Sequence, residues 1–281
     1  MRRRRRLSSA QAAALGALHG PAELLPVSSS GHLVLVPALL RWDYEGLDAE
    51  LRKSFQVALH AGTAAALLVV LRREVAEVLG ELDGRRLLRH ALELAPPALA
   101  VLGLERTIEE RLGSPRGVAV AQVAAGAALG LADLAPARRG REDAGPADAL
   151  AIGVAQATAL VPGVSRNGAT LTAARLLRFE RRAANRISRH AALPIILAAT
   201  GLKGFRLVRR GLPREVRGSF AAGAAAAFAS TLASSRLVRL VDEAPSYAPF
   251  AAYRAALGAA ALALLPRRTA RRSCGARSMR P

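Results

Sequence analysis

Residues 19–32 read HGPAELLPVSSSGH, charged and polar groups set inside an apolar, alanine-rich neighbourhood. His19 and Glu23 lie four apart, the spacing that stacks two side chains on one helical face. Pro26 stops that helix, and Ser28, Ser29 and Ser30 offer hydroxyls where the next helix begins. Gly31 permits close backbone approach, and His32 adds an imidazole that titrates near neutral pH. A carboxylate, hydroxyls, an imidazole and free helix N–H groups thus gather within about two helical turns. Such a set can hold phosphate and supply its own metal ligand.

Residues 153–169, GVAQATALVPGVSRNGA, repeat the plan 137 positions on: Gly153 answers Gly16, Val164 answers Val27, Ser165 answers Ser28 and Gly168 answers Gly31. An apolar helix, a proline break and Ser-x-x-Gly opening another helix recur in both halves. Interrupted helices in two related halves indicate a membrane protein built from repeats, its site where the broken helices meet.

The chain has 281 residues, 52% of them hydrophobic, a net charge of +20 and one cysteine. Met1 is followed by five arginines, and this basic tail over residues 1–9 can touch anionic headgroups. Segments 10–25 and 30–42 are each shorter than the about 20 apolar residues a spanning helix needs. With Pro26 between them they predict a re-entrant hairpin, which is tolerated where its irregular backbone faces protein or a wet cavity. Asp43 to Lys53 predicts a loop, and 54–71, 87–104 and 117–134 predict three spans, the second kinked at Pro96-Pro97. A second hairpin is expected over 149–177, then spans at 187–203, 218–235 and 249–265. A basic tail, 266–281, carries Cys274, which has no cysteine partner in the chain.

The expected architecture is one all-α membrane domain of about six spanning helices and two re-entrant hairpins. Its halves, 1–134 with hairpin 10–42 and 147–265 with hairpin 149–177, form inverted repeats, because three spans separate the hairpins. Arginine counts on alternate connections favour both termini in the cytoplasm. Basic residues are spread between apolar spans and aromatics are few, which excludes a nucleic-acid module.

The two segments resemble the undecaprenyl-diphosphatase family of bacteria, the bacitracin-resistance phosphatases. That family pairs Glu/Gln-x-x-x-Glu and Leu-Pro-Val-Ser-Ser-x-Gly-His with a later Pro-Gly-x-Ser-Arg-x-Gly-Ala-Thr. Here these are His19 to Glu23, Leu25 to His32 and Pro162 to Thr170. Weaker echoes are Phe55 to Gly62 and Pro249 to Arg254, so the resemblance spans nearly the whole chain. His19 stands where the family has Glu or Gln, and Asn167 where it has Ser; His60 stands where it tends to have Gln, a place that implies a supporting role behind the site. Arg189 and His190 interrupt a segment that is otherwise apolar in the family.

The resemblance implies hydrolysis of undecaprenyl diphosphate to undecaprenyl phosphate and inorganic phosphate, in the bacterial cell membrane. That reaction recycles the lipid carrier of cell-wall precursors and confers bacitracin resistance. Glu23, costly to bury unless paired, is expected to hold Mg²⁺ or Ca²⁺ against the diphosphate oxygens, with His19 as a second ligand. An ion pair with Arg166 is its structural alternative. Ser29 matches the family position for a nucleophile, and His32, one turn on, can serve as its base, attack phosphorus itself or activate water. Arg166 offers a planar fork to phosphate. Ser28, Ser30, Ser165, Asn167, Gly168 and Thr170 are expected to surround the phosphate with donors. Arg189, His190 and the pair Tyr253-Arg254 read as interface or anchoring groups. The expected partners are the polyprenyl lipid, membrane lipids and, as one assembly, a second copy of the chain. A polyprenyl-phosphate transporter or flippase is the rival function, because inverted repeats with broken helices also build transporters.

Overall fold

Two serines set the frame of the fold. Ser28 and Ser165 adopt left-handed backbone angles, φ 72° and φ 70°, which non-glycine residues seldom take. Each hydroxyl accepts the backbone N–H three residues on, from Gly31 at 3.2 Å and Gly168 at 3.1 Å, and so caps a new helix. Those helices are α2, Ser29–Leu39, and α8, Arg166–Leu176. Both run into another left-handed residue, Arg41 with φ 54° and Arg178 with φ 67°. Start, end, cap and stop all keep the same 137-residue offset.

The computed structural model describes residues 7–266 except 43, 45, 81 and 82, without the side chains of 109, 199, 203, 206–208 and 210. Arg2–Arg6 and the tail with Cys274 lie outside the described residues, and with them the tail charges that favoured a cytoplasmic orientation. Among the described residues the chain is all-helical, with no strand beyond an isolated bridge between Arg139 and Phe179. Helix α1, Ser9–Leu24, opens on a capping box in which Ser8 and Gln11 exchange hydrogen bonds. Then follow α3 (Ala49–Val70), α4 (Arg72–Gly80), α5 (Gly84–Leu112), α6 (Pro115–Asp133) and α7 (Pro146–Thr158). After α8 come α9 (Arg181–Arg210), α10 (Arg214–Ala233), α11 (Arg236–Asp242) and α12 (Ala248–Leu264).

Three helices, α3, α5 and α6, are long and apolar enough to cross a membrane, and they cover the three spans expected in the first half. The second-half spans are helical, as α9, α10 and α12, but among the described residues they do not reach that combination of length and apolarity. Helix α12 has only 17 residues, and α9 carries a run of arginines. Among them, Arg189 pairs with Asp242 at 2.6 Å and Glu74 at 3.4 Å, and Arg186 with Glu77 at 2.6 Å. The loop expected over Asp43 to Lys53 is cut short, because Asp48 accepts the Glu50 N–H at 2.9 Å and starts α3 at Ala49. Helix α5 passes through Pro96 and Pro97 as one 29-residue element. Neither α4 nor α11 was foreseen.

The helices pack in pairs that exchange between the halves. Helix α1 lies on α10 as α7 lies on α5, while α6 packs on α12 and α3 on α9. The contacts of α1 and α7 need glycine at matching positions: a Cβ on Gly16 would strike the Gly223 carbonyl, and one on Gly153 the Leu92 carbonyl. Two aromatic-centred cores result, one of Phe55, Leu15 and Leu33 with Phe220 from the other half, and one of Phe179, Tyr247, Ile152 and Leu171 with Leu129 from the other half.

Helices α6 and α12 fasten the two breaks. Gln122 on α6 donates to the Val27 carbonyl at 2.7 Å. Arg254 on α12, 0% exposed, donates to Val164 at 2.6 Å, Gly163 at 2.9 Å and, across the halves, Pro26 at 3.2 Å. The anchoring role expected for Arg254 at an interface is thus corrected: it is a buried tie. Arg254→Leu strands three carbonyls, each costing about 1–3 kcal/mol. Thermal unfolding in detergent is expected to show a loss of about 3 kcal/mol or more. A loss below about 1 kcal/mol would contradict the role.

Candidate active site

Glu23 sits in the last turn of α1, where the chain turns toward the Ser28 cap. Its Oε2 accepts the Ser29 hydroxyl at 2.6 Å, and its Oε1 accepts Arg166 Nη2 at 3.2 Å. Ser29 and Arg166 are the first residues of α2 and α8. One carboxylate therefore joins the starts of two helices from opposite halves, where free backbone N–H groups and the helix dipoles favour an anion. The structural ion pair and the site are the same contact. Each carboxylate oxygen carries one of these bonds, which leaves lone pairs for a further partner.

A cleft of about 2920 Å³ opens at this junction, with Glu23, Ser28, Ser29, Ser30, Ser165 and Arg166 in its wall. Asn167 also faces it while donating to the Leu24 carbonyl at 3.3 Å. Thr170 is turned away: fully buried, its hydroxyl meets Ser188 at 2.6 Å and the Arg166 and Asn167 carbonyls at 3.0 Å. Gly168 spends its N–H on the Ser165 cap.

His32 does not touch the Ser29 hydroxyl. Its Nδ1 lies 2.7 Å from the Ser28 carbonyl and its Nε2 2.6 Å from the Tyr253 hydroxyl. A carbonyl only accepts, so Nδ1 carries the proton and Nε2 accepts from Tyr253. The hydrogen-bonding partner of Ser29 is Glu23, and Tyr253, read from sequence as an interface anchor, contacts a site residue.

His19, 0% exposed, meets Thr63 through Nδ1 at 2.9 Å while its Nε2 has no partner. The His60 ring stands edge-on to it, centroids 4.6 Å apart. Donor atoms of His19, Glu23 and His60 lie within 4.8 Å of one another. An orphaned buried nitrogen beside a carboxylate is a donor set that a divalent cation could use. The third member, His60, arrives from α3 and stands beside the site, in the supporting place read for it from sequence.

The family model for Bacitracin resistance protein BacA matches residues 12–260. The chain belongs to this family. The BacA match takes in both helix breaks and most of α12, so Glu23, Ser29, Arg166 and Arg254 all lie inside it. Among BacA relatives, the undecaprenyl-diphosphatase of Geobacter sulfurreducens is 41% identical over 268 residues, 90% of this chain and 97% of its own. That of Gemmatimonas aurantiaca is 38% identical over 275 residues, 92% and 98% of the two chains. Both are named for hydrolysis, and neither favours the transport reading. With three long apolar helices, this BacA member is a membrane protein.

Proposed function

We propose that the chain hydrolyses undecaprenyl diphosphate to undecaprenyl phosphate and inorganic phosphate. The observation that carries this reading is the Ser29–Glu23–Arg166 chain of contacts in the wall of the cleft, and the activity for which the relatives are named supports it. Arg166 and the starts of α2 and α8 take the negative charge of the terminal phosphate, the main demand of phosphoryl transfer. The Ser29 oxygen bonds to the terminal phosphorus as the bond from phosphorus to the bridging oxygen breaks. Its proton passes to Glu23 and on to the departing lipid phosphate. Water then attacks the serine phosphate, and its proton returns through Glu23 to the Ser29 oxygen as inorganic phosphate leaves. His32, held by Ser28 and Tyr253, positions the start of α2. A divalent cation on Glu23 and His19 would add positive charge for the phosphate oxygens when bound.

The finer architecture follows the same reading: six spans, two re-entrant hairpins and inverted repeats over 1–134 and 147–265, crossing the bacterial cell membrane several times. The matched helix bounds of α2 and α8 and the exchange of helix pairs support it. The lipid tail then runs along the apolar wall of the cleft, past Pro97, Val101 and Ile195.

Expression in a bacitracin-susceptible bacterium tests the function in its setting. Bacitracin tolerance is expected to rise with the wild-type chain and to stay at the control level with Ser29→Ala at equal membrane abundance. Equal tolerance from both would contradict the proposal.

A further inference from the structure

Three side chains around the junction carry more than the hydrolase needs. His19, Glu23 and His60 converge from α1 and α3, with donor atoms within 4.8 Å of one another. Each imidazole is held from behind through Nδ1, His19 by Thr63 at 2.9 Å and His60 by the Gln56 carbonyl at 2.8 Å. The carbonyl fixes the His60 proton on Nδ1 and leaves its Nε2 lone pair free. This is how metal-binding histidines are oriented by an outer shell. The His19 Nε2 is buried and without a partner, a cost that a bound cation removes.

We propose that His19, Glu23 and His60 form a two-histidine, one-carboxylate site that selects a borderline divalent transition-metal ion over Mg²⁺ and Ca²⁺. Mg²⁺ and Ca²⁺ take oxygen donors, and two of the three donors here are imidazole nitrogens, which suit Zn²⁺, Fe²⁺ and their neighbours. Two histidines and a glutamate are also a known zinc donor set that leaves a coordination position open. Closing on an ion with bonds of about 2.0–2.1 Å asks the side chains to move by about 1 Å. Thr63 and Gln56 are the positioning residues. The bearing of this site on catalysis rests on the hydrolase reading above, whereas the binding claim stands on the three side chains themselves.

The test uses the full chain, purified in detergent with a histidine-free tag and stripped of metal. Co²⁺ is titrated and its visible ligand-field absorption followed, then Zn²⁺ or excess Mg²⁺ is added as competitor. Expected are nitrogen-ligated Co²⁺ bands at one ion per chain, displaced by Zn²⁺ and not by Mg²⁺. Losing an outer-shell partner alone costs about 10–100-fold in affinity, so His60→Gln is expected to lose at least about 100-fold in Zn²⁺ affinity. His90→Gln, on α5 and paired with Glu93, is expected to leave it unchanged. No Co²⁺ bands from folded protein, displacement by Mg²⁺, or unchanged affinity in His60→Gln would overturn the proposal. Phosphate release is followed in the same samples. Release without Co²⁺ or Zn²⁺ binding overturns this inference and leaves the hydrolase standing, while binding without release supports the metal site and removes the hydrolase.

Discussion

Ser29→Ala is expected to lower kcat for phosphate release by roughly 10⁴–10⁶-fold, the scale seen when a hydrolase loses its nucleophile. Its hydroxyl is the one that donates to Glu23, at 2.6 Å. Ser30, whose hydroxyl faces Ser28 at 3.3 Å, makes no such contact, so Ser30→Ala is expected to stay within about threefold of wild type. Ser28→Ala removes a helix cap and is expected to cost about 1 kcal/mol of stability. Steady-state release by the three variants in detergent separates the neighbouring hydroxyls. A Ser29→Ala enzyme within tenfold of wild type would move the attack from serine to water.

Arg166 carries the second large effect. Arg166→Ala is expected to lower kcat/KM by about 10³-fold or more, the range for an arginine that neutralises a transferring phosphoryl group. It also leaves Glu23 without its cation, so its unfolding temperature is expected to fall as well. Arg166→Lys separates the two losses. Lysine keeps the charge beside Glu23 and gives up the planar fork, so unfolding should return toward wild type while kcat/KM stays down by about 10²-fold. Full recovery of kcat/KM in Arg166→Lys would show that charge alone is used and the fork is not.

Much of this site was legible because it is local. The Pro26 and Pro162 breaks, the Ser-x-x-Gly caps and the helix starts at Ser29 and Arg166 need only the few residues around them. The 137-residue offset then pairs the two breaks without any structure. The pairing of His32 with Ser29 failed for a physical reason. One turn brings residues near each other, yet the imidazole is claimed by the Ser28 carbonyl four residues back and by Tyr253, 221 residues away. Contacts of that range leave no periodic trace, which also hid His60 beside His19 and Arg254 beneath both breaks. Helices α9 and α10 read as spans in sequence but fall short as apolar ones. In α9, Arg186 and Arg189 are matched by Glu74, Glu77 and Asp242 from α4 and the end of α11, partners that a hydropathy window cannot see.

The proposed hydrolase joins two broken helices from opposite halves in one site. It is tested most directly by inorganic phosphate release from undecaprenyl diphosphate, using the detergent-purified chain beside Ser29→Ala and Arg166→Ala. Expected are turnover by the wild type, with undecaprenyl phosphate formed in equal amount, and loss in both variants although their mutated residues lie in different halves. Folded wild-type protein that releases no phosphate, or a variant of either half that keeps full turnover, would contradict it.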